Sequence, residues 1–210
     1  DYLAPAGSDA FYSETLLRLM PGRLCYTPPP APTPSTEGVE ARRLVCLNRF
    51  SKINDEVAAA WSAALLRLPG WSLRLKGTGG DDAGVANALR RRFAAHGVDP
   101  ERLDIFGEGP YAEAIDAYRD AAVALDPFPF SGCATSFDAL WMGLPVVTLP
   151  LDTMASRQTG SILSAIGRKD WIADDVGAYV DAIVDVARDE DGRRRWRAAA
   201  RERMRPLTDA

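Results

Sequence analysis

Histidine and cysteine are scarce in this sequence, with one His and three Cys among 210 residues. Cys25, Cys46 and Cys133 are odd in number and are not spaced like the ligands of a metal site. We therefore expect reduced thiols, a cytoplasmic location and no metal centre. The single histidine, His96, precedes Gly97 at a predicted helix end, and this position favours a C-terminal cap interaction.

An excess of positive charge and a long apolar run are both absent as well. Lys and Arg number 25 against 29 Asp and Glu, which gives a net charge of −4. Because nucleic-acid and membrane-surface binding need clustered positive potential, we expect neither partner. No apolar run reaches the roughly 18 residues of a membrane span, and no signal-peptide pattern occurs, so we expect a soluble chain that stays off the membrane.

The chain divides unevenly into two parts. Residues 1–43 hold a short amphipathic pattern, FYSETLLRLM, followed by the breaker-rich CYTPPPAPTPSTEG. These patterns predict an amino-terminal helix and a Pro-rich strap or linker. Residues 44–210 show a regular alternation of strand and helix patterns, and a chain with 47% hydrophobic residues can bury a real core.

Five apolar runs predict buried strands, at residues 43–48, 71–76, 102–107, 122–127 and 145–150. Helical patterns lie between them at 55–68, 83–96, 112–120 and 136–142, and two amphipathic helices at 176–188 and 192–205 end the domain. Strands that alternate with helices at this spacing indicate βαβ crossovers. The sequence therefore predicts an α/β fold with a doubly wound, Rossmann-like parallel sheet.

Small residues crowd between two of the predicted strands, in the segment PFSGCATSFDALW. In a doubly wound sheet the ligand crevice lies beyond the carboxyl ends of the strands, and this segment leaves one such end and starts a helix. Its first-turn N–H groups, with Gly132 for close approach and with the hydroxyls of Thr135 and Ser136, can bind an anion. The alternative is that Thr135 or Ser136 only caps the helix, and the sequence leaves both open.

A second predicted strand end, LNRFSKIND, has similar features. Arg49 and Lys52 emerge near the same rim, just before a helix start, and Lys52 can reach a phosphate as a point charge. The alternative is an ordinary exposed loop lysine. Two anion-friendly strand ends on one rim favour a nucleotide diphosphate as the ligand. The glycine-rich GTGGDD matches no phosphate-binding motif and is interpreted as a turn.

The run ALDPFPFSGCATSFDALWMGLPVVTLP, preceded by LNRFSKIND and followed by ASRQTGSIL, resembles the carboxyl-terminal half of the O-GlcNAc transferase/SPINDLY family of GT-B glycosyltransferases. The resemblance covers about residues 40–205. The opening stretch DYLAPAGSDAFYSETLLRLMPGRLCYTPPP is also similar to the segment that joins the two halves in bacterial members. The resemblance implies one half of a GT-B fold, the half that binds the sugar nucleotide.

The resemblance also implies roles for individual residues. Lys52 matches the lysine that contacts the donor diphosphate and stabilises the leaving nucleotide, which makes it the expected catalytic residue. Asp138 matches an acidic residue that holds the ribose, although a carboxylate in the first helical turn is favourable without a ligand. Arg49 matches a polar contact to the donor, and Arg157 has either a donor role or a packing or domain-contact role. The other expected donor-site residues are Gly132, Cys133, Ala134, Thr135 and Ser136.

Some positions depart from the pattern of that family. Cys133 and Ala134 stand where many members have a polar residue and a threonine, which removes one side-chain phosphate contact. Ala114 stands where members often have a histidine near the base, so the nucleotide stays open between UDP and GDP. His96 lies elsewhere, and we therefore expect the catalytic histidine, and with it the amino-terminal half, outside this chain.

The activity implied by the resemblance is inverting transfer of a GlcNAc-like sugar from a nucleotide diphosphate to a protein Ser or Thr. The expected donor is UDP-GlcNAc, with a GDP-sugar as the alternative, and neither a cofactor nor a metal is needed. Asp189–Asp191, the one Asp-x-Asp pattern, is interpreted as a solvated turn. The expected partners are a protein acceptor, the missing amino-terminal half and TPR repeats.

Two other functions share the same predicted phosphate site. One is a different GT-B enzyme, such as a sugar-nucleotide epimerase, and the other is a non-catalytic nucleotide-binding or scaffold module. Helical repeats of about 34 residues upstream of residue 1, together with a second α/β half, would favour the transferase. A chain that starts at residue 1 would favour the binding module.

Overall fold

A computed structural model describes residues 2–19, 22–30 and 40–208. Five parallel strands form one sheet in the order β3-β2-β1-β4-β5. They are β1 (Arg43–Cys46), β2 (Ser72–Lys76), β3 (Leu103–Phe106), β4 (Val123–Leu125) and β5 (Val146–Val147). The seven helices among the described residues are α1 (Asp55–Leu66), α2 (Ala83–Ala94), α3 (Tyr111–Asp116), α4 (Ala134–Trp141), α5 (Gln158–Ala165), α6 (Val176–Arg188) and α7 (Glu190–Met204).

Helices lie on both faces of the sheet, and β1, β4 and β5 bury both of their sides. Strands β2 and β3 leave one side only partly covered. On β1, Leu44 and Cys46 join the core under α1, α2 and α6, whereas Val45 joins the core under α3, α4, α5 and α7. Successive side chains of a strand point to opposite faces, which is why an unbroken apolar run is needed here. The predicted doubly wound α/β fold is confirmed.

The strand order places the switch point of the sheet between β1 and β4. Strands β1, β2 and β3 are added in one direction, and the chain then returns to place β4 on the other side of β1, with Leu44 opposite Val123. At a switch point the two neighbouring loops diverge and leave a crevice. The loops after β1 and β4 are the two segments in which the sequence predicts the phosphate site.

All five predicted strands are present, each somewhat shorter than predicted. Helix α4 begins at Ala134, two residues before the predicted start. Helix α2 ends before Gly97, whose φ of 84° is a left-handed conformation that ends a helix. Helix α5 is absent from the prediction because its sequence, QTGSILSA, is rich in residues of low helix propensity.

The predicted amino-terminal helix is wrong for the part that the structure describes. Only one 3-10 turn, Ser8–Phe11, is helical, and residues 12–19 have no helix. Leu17 and Leu19 are exposed, so the amphipathic pattern has no apolar surface to pack on, and an isolated helix of this length is unstable. Residues 20 and 21, and the Pro-rich residues 31–39, lie outside the described residues.

The strap, defined here as residues 22–30, packs against the α/β domain. The backbone N–H of Tyr26 donates to the carbonyl oxygen of Leu207 over 2.8 Å, and Tyr26 forms a β-bridge with Thr208. Segments at the two ends of the chain are therefore joined beside α4. No helix within the described ranges has the length and apolar character needed to cross a membrane.

Candidate donor-binding site

Lys52 lies where the loop after β1 meets the turn that precedes α4. Its ammonium Nζ donates to the carbonyl oxygen of Ser131 over 2.9 Å and to Oδ1 of Asn48 over 3.1 Å. It also lies 4.4 Å from the centre of the Phe130 ring. The half-buried cation is thus held against the start of α4, as the two strand-end patterns predict.

Asn48 links the two loops, and the sequence analysis did not single it out. Its side chain is 7% exposed, and its Oδ1 accepts from Lys52 and, over 3.4 Å, from the hydroxyl of Thr135. Its amide nitrogen lies 3.7 Å from the sulfur of Cys46. Its position directly after an apolar strand could have identified Asn48 from the sequence, because an amide buried there needs hydrogen-bond partners.

The first turn of α4 presents backbone N–H groups that can bind a ligand. Cys133 occupies the N-cap position without a side-chain cap, and its carbonyl oxygen accepts from the N–H groups of Ser136 and Phe137. Within the described ranges the N–H groups of Ala134 and Thr135 make no hydrogen bond. These donors and the positive end of the helix dipole form an environment that suits an anion.

The hydroxyls of Thr135 and Ser136 have different surroundings, and neither caps the helix. The long contact to Asn48 is the only hydrogen bond of the Thr135 hydroxyl among the described residues. The Ser136 hydroxyl pairs with that of Thr159 at 2.7 Å, and both residues are buried. The Thr135 hydroxyl therefore has one weak partner and the Ser136 hydroxyl a firm one, and the donor roles of both residues stay predictions.

Gly132 is required because no side chain fits at its position. A Cβ there would lie 2.6 Å from the Ser136 hydroxyl, 2.8 Å from the Thr135 hydroxyl and 2.9 Å from Oδ1 of Asp126. The Gly132 N–H donates to that same Asp126 oxygen over 2.5 Å. Asp126 thus holds the turn in which the predicted phosphate-binding residues lie.

Asp126 is fully buried and is a second residue that the sequence analysis did not single out. Burial raises its pKa to about 6, against the opposing effects of hydrogen bonds from Thr148 and Gly132 and of the Lys52 charge. The backbone oxygen of Asp126 accepts from the Tyr179 hydroxyl over 2.8 Å, and this hydroxyl accepts from the indole N–H of Trp61. Thr148 and Gly132 therefore hold the two carboxylate oxygens of Asp126, and Tyr179 holds its backbone.

Two cations and one buried carboxylate, Asp126, act on the start of α4. Burial lowers the pKa of Lys52, and the nearby carboxylate of Asp126 opposes this shift. At Cys133, burial raises the pKa of the thiol, while the charges of Arg23 and Lys52 act to lower it. Arg23 comes from the strap and donates to Gln158 over 2.7 Å, so two cations from different segments act on this turn.

Asp138 lies one turn further along α4 and is 7% exposed. Its Oδ1 accepts from the hydroxyl of Tyr26 over 2.6 Å and from that of Tyr111 over 2.7 Å. Burial raises its pKa, and the two phenol donors act in the opposite direction. Neither tyrosine was identified from the sequence, because the chain positions of Tyr26 and Asp138 differ by 112.

The two arginines predicted for the site lie in different environments. Arg49 is exposed next to the Phe50–Lys52 turn, and no hydrogen bond of its side chain occurs within the described ranges. Arg157 donates from Nε to the carbonyl oxygen of Leu151 over 2.8 Å and lies 3.6 Å from Asp152. The geometry of Arg157 corresponds to its packing alternative, in which it holds the loop between β5 and α5.

Comparison with known proteins gives a family for this chain. The profile of Glycosyl transferase family 41 matches residues 40–207. A SPINDLY protein of Solanum lycopersicum, named as a probable UDP-N-acetylglucosamine–peptide N-acetylglucosaminyltransferase, is 27% identical over 98% of this chain and 23% of its own length. The UDP-N-acetylglucosamine–peptide N-acetylglucosaminyltransferase of Caenorhabditis elegans is 30% identical over 69% of this chain and 12% of its own length.

A solved structure matches the whole chain. A point mutant of the Thermobaculum terrenum O-GlcNAc transferase superposes with a TM-score of 0.94 and 37% identity, over 100% of this chain and 40% of that one. The chain therefore spans less than half of this relative and about a quarter of the tomato protein. On the family profile and this structural match, the chain belongs to glycosyl transferase family 41.

Proposed function

We propose that this chain is the donor-binding half of an inverting glycosyltransferase that moves a GlcNAc-like sugar from a nucleotide diphosphate to a protein Ser or Thr. The observation that supports this most is the position of Lys52 against the start of α4. A half-buried ammonium, two N–H groups without an acceptor in the described ranges and a threonine hydroxyl lie at one turn. Together they suit the two phosphates of a nucleotide.

The proposed chemistry uses this turn to stabilise the leaving group. The acceptor hydroxyl oxygen bonds to the anomeric carbon on the face opposite the nucleotide, and the bond from that carbon to the β-phosphate oxygen breaks. The bonding electrons stay on the phosphate oxygen, and the acceptor proton goes to a base. Lys52 and the helix amino terminus act where this negative charge develops, so they stabilise the transition state more than the ground state.

The nucleoside end of the proposed donor lies at Asp138. Its carboxylate accepts from the ribose hydroxyls, one helical turn from the phosphate-binding N–H groups. The tomato and nematode relatives are named for UDP-N-acetylglucosamine as donor and a peptide as acceptor, which favours UDP over GDP for this chain. No group of three or more His, Cys, Asp or Glu suited to a metal occurs in the described ranges.

The acceptor side of the reaction is proposed to lie in parts of the protein that this chain does not cover. The relatives are longer than the matched region, and in our proposal their additional length includes an amino-terminal half with the catalytic base and TPR repeats that bind the acceptor. The thiols of Cys25, Cys46 and Cys133 form no disulfide, which supports a cytoplasmic location.

Calorimetric titration with UDP and GDP tests the donor assignment. We expect UDP to bind, and a concentration of about 100 times its dissociation constant to stabilise the fold by roughly 2.7 kcal/mol. Lys52→Ala should weaken binding by about tenfold to a hundredfold, because a charge-assisted contact to phosphate is lost.

Lys169→Ala is the matched control, since this lysine is exposed on a 3-10 turn away from α4 and its loss should leave the affinity unchanged. If both variants lost the same affinity for UDP, Lys52 would act only through the overall charge of the protein and not through a direct contact. If neither nucleotide binds at millimolar concentration, the proposed function is wrong.

A further inference from the structure

The carboxylate of Asp138 has one occupied and one unoccupied oxygen. Both phenol hydroxyls donate to Oδ1, at 2.6 Å and 2.7 Å. Oδ2 has no hydrogen bond within the described ranges, although the residue is only 7% exposed. Oδ2 is reachable from solvent, so the hydroxyl of a ligand in the crevice can donate to it.

The two tyrosines that hold Oδ1 differ in how firmly they are fixed. Tyr26 is 8% exposed, its ring stacks on Phe137 at 4.9 Å with an interplanar angle of 8°, and Trp141 meets it edge-on at 6.3 Å. Its backbone is bonded to Leu207 as well. Tyr111, the first residue of α3, is 55% exposed, so less packing holds its ring in place.

We propose that Tyr26 is a positioning residue for nucleoside recognition: from the strap it fixes the Asp138 side chain so that Oδ2 faces the donor crevice and accepts from a ribose hydroxyl. This inference rests on the proposed function, because it assumes that a nucleotide binds along α4. Without the Tyr26 hydroxyl the carboxylate can rotate about its last side-chain bond. The oxygen that the ribose needs is then no longer held in one place.

The geometry gives the strap a role in binding as well as in connection. Because Tyr26 is fixed on residues 22–30, docking of the strap and binding of the ribose favour each other, and this coupling is reciprocal. Among the described residues the Tyr26 hydroxyl bonds to Asp138 and not to residues 131–135, so phosphate binding at that turn is expected to be independent of it.

A double comparison of protein and ligand tests the inference. UDP and 2′,3′-dideoxy-UDP are titrated by calorimetry into the wild-type protein and into Tyr26→Phe, which keeps the stacked ring and removes one hydroxyl. We expect the wild type to prefer UDP by about tenfold or more, as a hydrogen bond to a charged group gives. Tyr26→Phe should reduce this preference to within about twofold while its affinity for the dideoxy nucleotide stays unchanged.

The outcomes separate the inference from the proposed function. If the wild type binds both nucleotides and Tyr26→Phe keeps the full preference for UDP, the inference is overturned and the donor site remains. If the wild type shows no preference, Asp138 does not hold the ribose and the inference is overturned too. If the wild type binds neither nucleotide, the donor assignment itself is wrong.

Tyr111→Phe is the matched control, because it removes the other phenol hydroxyl and leaves the core intact. This variant should keep most of the preference for UDP. Loss of the preference in this variant alone would transfer the positioning role to Tyr111.

Discussion

The ammonium of Lys52 lies 2.9 Å from the carbonyl oxygen of Ser131, so a cation from the loop after β1 touches the turn after β4. This contact depends on the strand order. Strands β1 and β4 are neighbours because, after β3, the chain crosses back and adds β4 on the free side of β1. A lysine that is attached to one loop and bonded to the other loses less conformational entropy on binding a phosphate than an exposed lysine does. The topology of the sheet thus holds the cation of the proposed site in place without a ligand.

Gly132→Ala should impair both folding and nucleotide binding. The added methyl would lie under 3.0 Å from three side-chain oxygens, those of Ser136, Thr135 and Asp126, so either these side chains or the turn must shift. Since Asp126 is buried and hydrogen-bonded, we expect the turn to shift. We expect a loss of about 1 to 3 kcal/mol in the free energy of unfolding, as is typical of overpacking. Because the same shift moves the N–H groups of α4, UDP affinity per folded molecule should fall as well.

Urea unfolding and calorimetry on the same Gly132→Ala sample measure the two effects. A variant with wild-type affinity and a lowered midpoint would mean that the turn does not need this geometry to bind a nucleotide.

How much of this arrangement the sequence predicts depends on the range of the interactions. The strands and most helices follow from apolar runs and breakers, which are local. The approach of Lys52 to the start of α4 follows from a general rule for parallel sheets, because strand ends share one rim. Helix α5 was missed because Thr159, Gly160 and Ser161 disfavour a helix, and tertiary packing overrides that weak preference.

The side chains that support the site could not be predicted in the same way. Asp126 and Asn48 stand at strand ends in the sequence, but only the structure shows that their oxygens hold the Gly132 turn and Lys52. Tyr26 contacts Asp138 from a distant segment that has no periodic pattern. Contacts between segments far apart in the chain leave no local signal in a single sequence.

Asp126→Asn should change how stability depends on pH. The pKa of Asp126 is about 6 in the folded protein because of burial, against a reference value of 3.8. A carboxyl group whose pKa is higher when folded binds its proton more tightly in the native state. Its contribution to stability is therefore complete below about pH 4 and is lost as the pH rises through 6. The asparagine stays neutral, so the free energy of unfolding of the variant minus that of the wild type should rise between pH 4 and 7 and then level off.

Urea midpoints of both proteins at several pH values measure this difference. Asp120→Asn serves as the control, because burial raises the pKa of Asp120 but the stronger combined effect of Arg74 and Arg43 lowers it. Asp120 therefore titrates below this range, and its variant should show a constant difference from pH 4.5 upward. A constant difference for Asp126→Asn would mean that its carboxyl has an ordinary pKa.

Thr135→Ala should weaken nucleotide binding with little effect on stability. Thr135 does not cap α4, and its hydroxyl makes only a long contact of 3.4 Å to Asn48, so folding loses little when the hydroxyl is removed. If the hydroxyl donates to a phosphate, UDP affinity should fall by about tenfold to a hundredfold. Uridine, which has no phosphate, should bind wild type and variant equally. Calorimetry with both ligands, beside urea midpoints, measures each expectation.

Ser136→Ala is the matched hydroxyl deletion one residue further along α4. The Ser136 hydroxyl is paired with Thr159 in the interior, so its removal leaves a buried hydroxyl without its partner and should lower the urea midpoint. Because that hydroxyl is already paired, we expect affinity per folded molecule to stay unchanged, the reverse of the pattern for Thr135→Ala. A loss of affinity would instead give Ser136 the donor role that the sequence predicts. Because the two side chains follow each other on the same helix turn, opposite patterns can only come from where each hydroxyl points. Unchanged UDP affinity in Thr135→Ala would remove this hydroxyl from the donor site and leave the phosphates to Lys52 and the backbone N–H groups of α4.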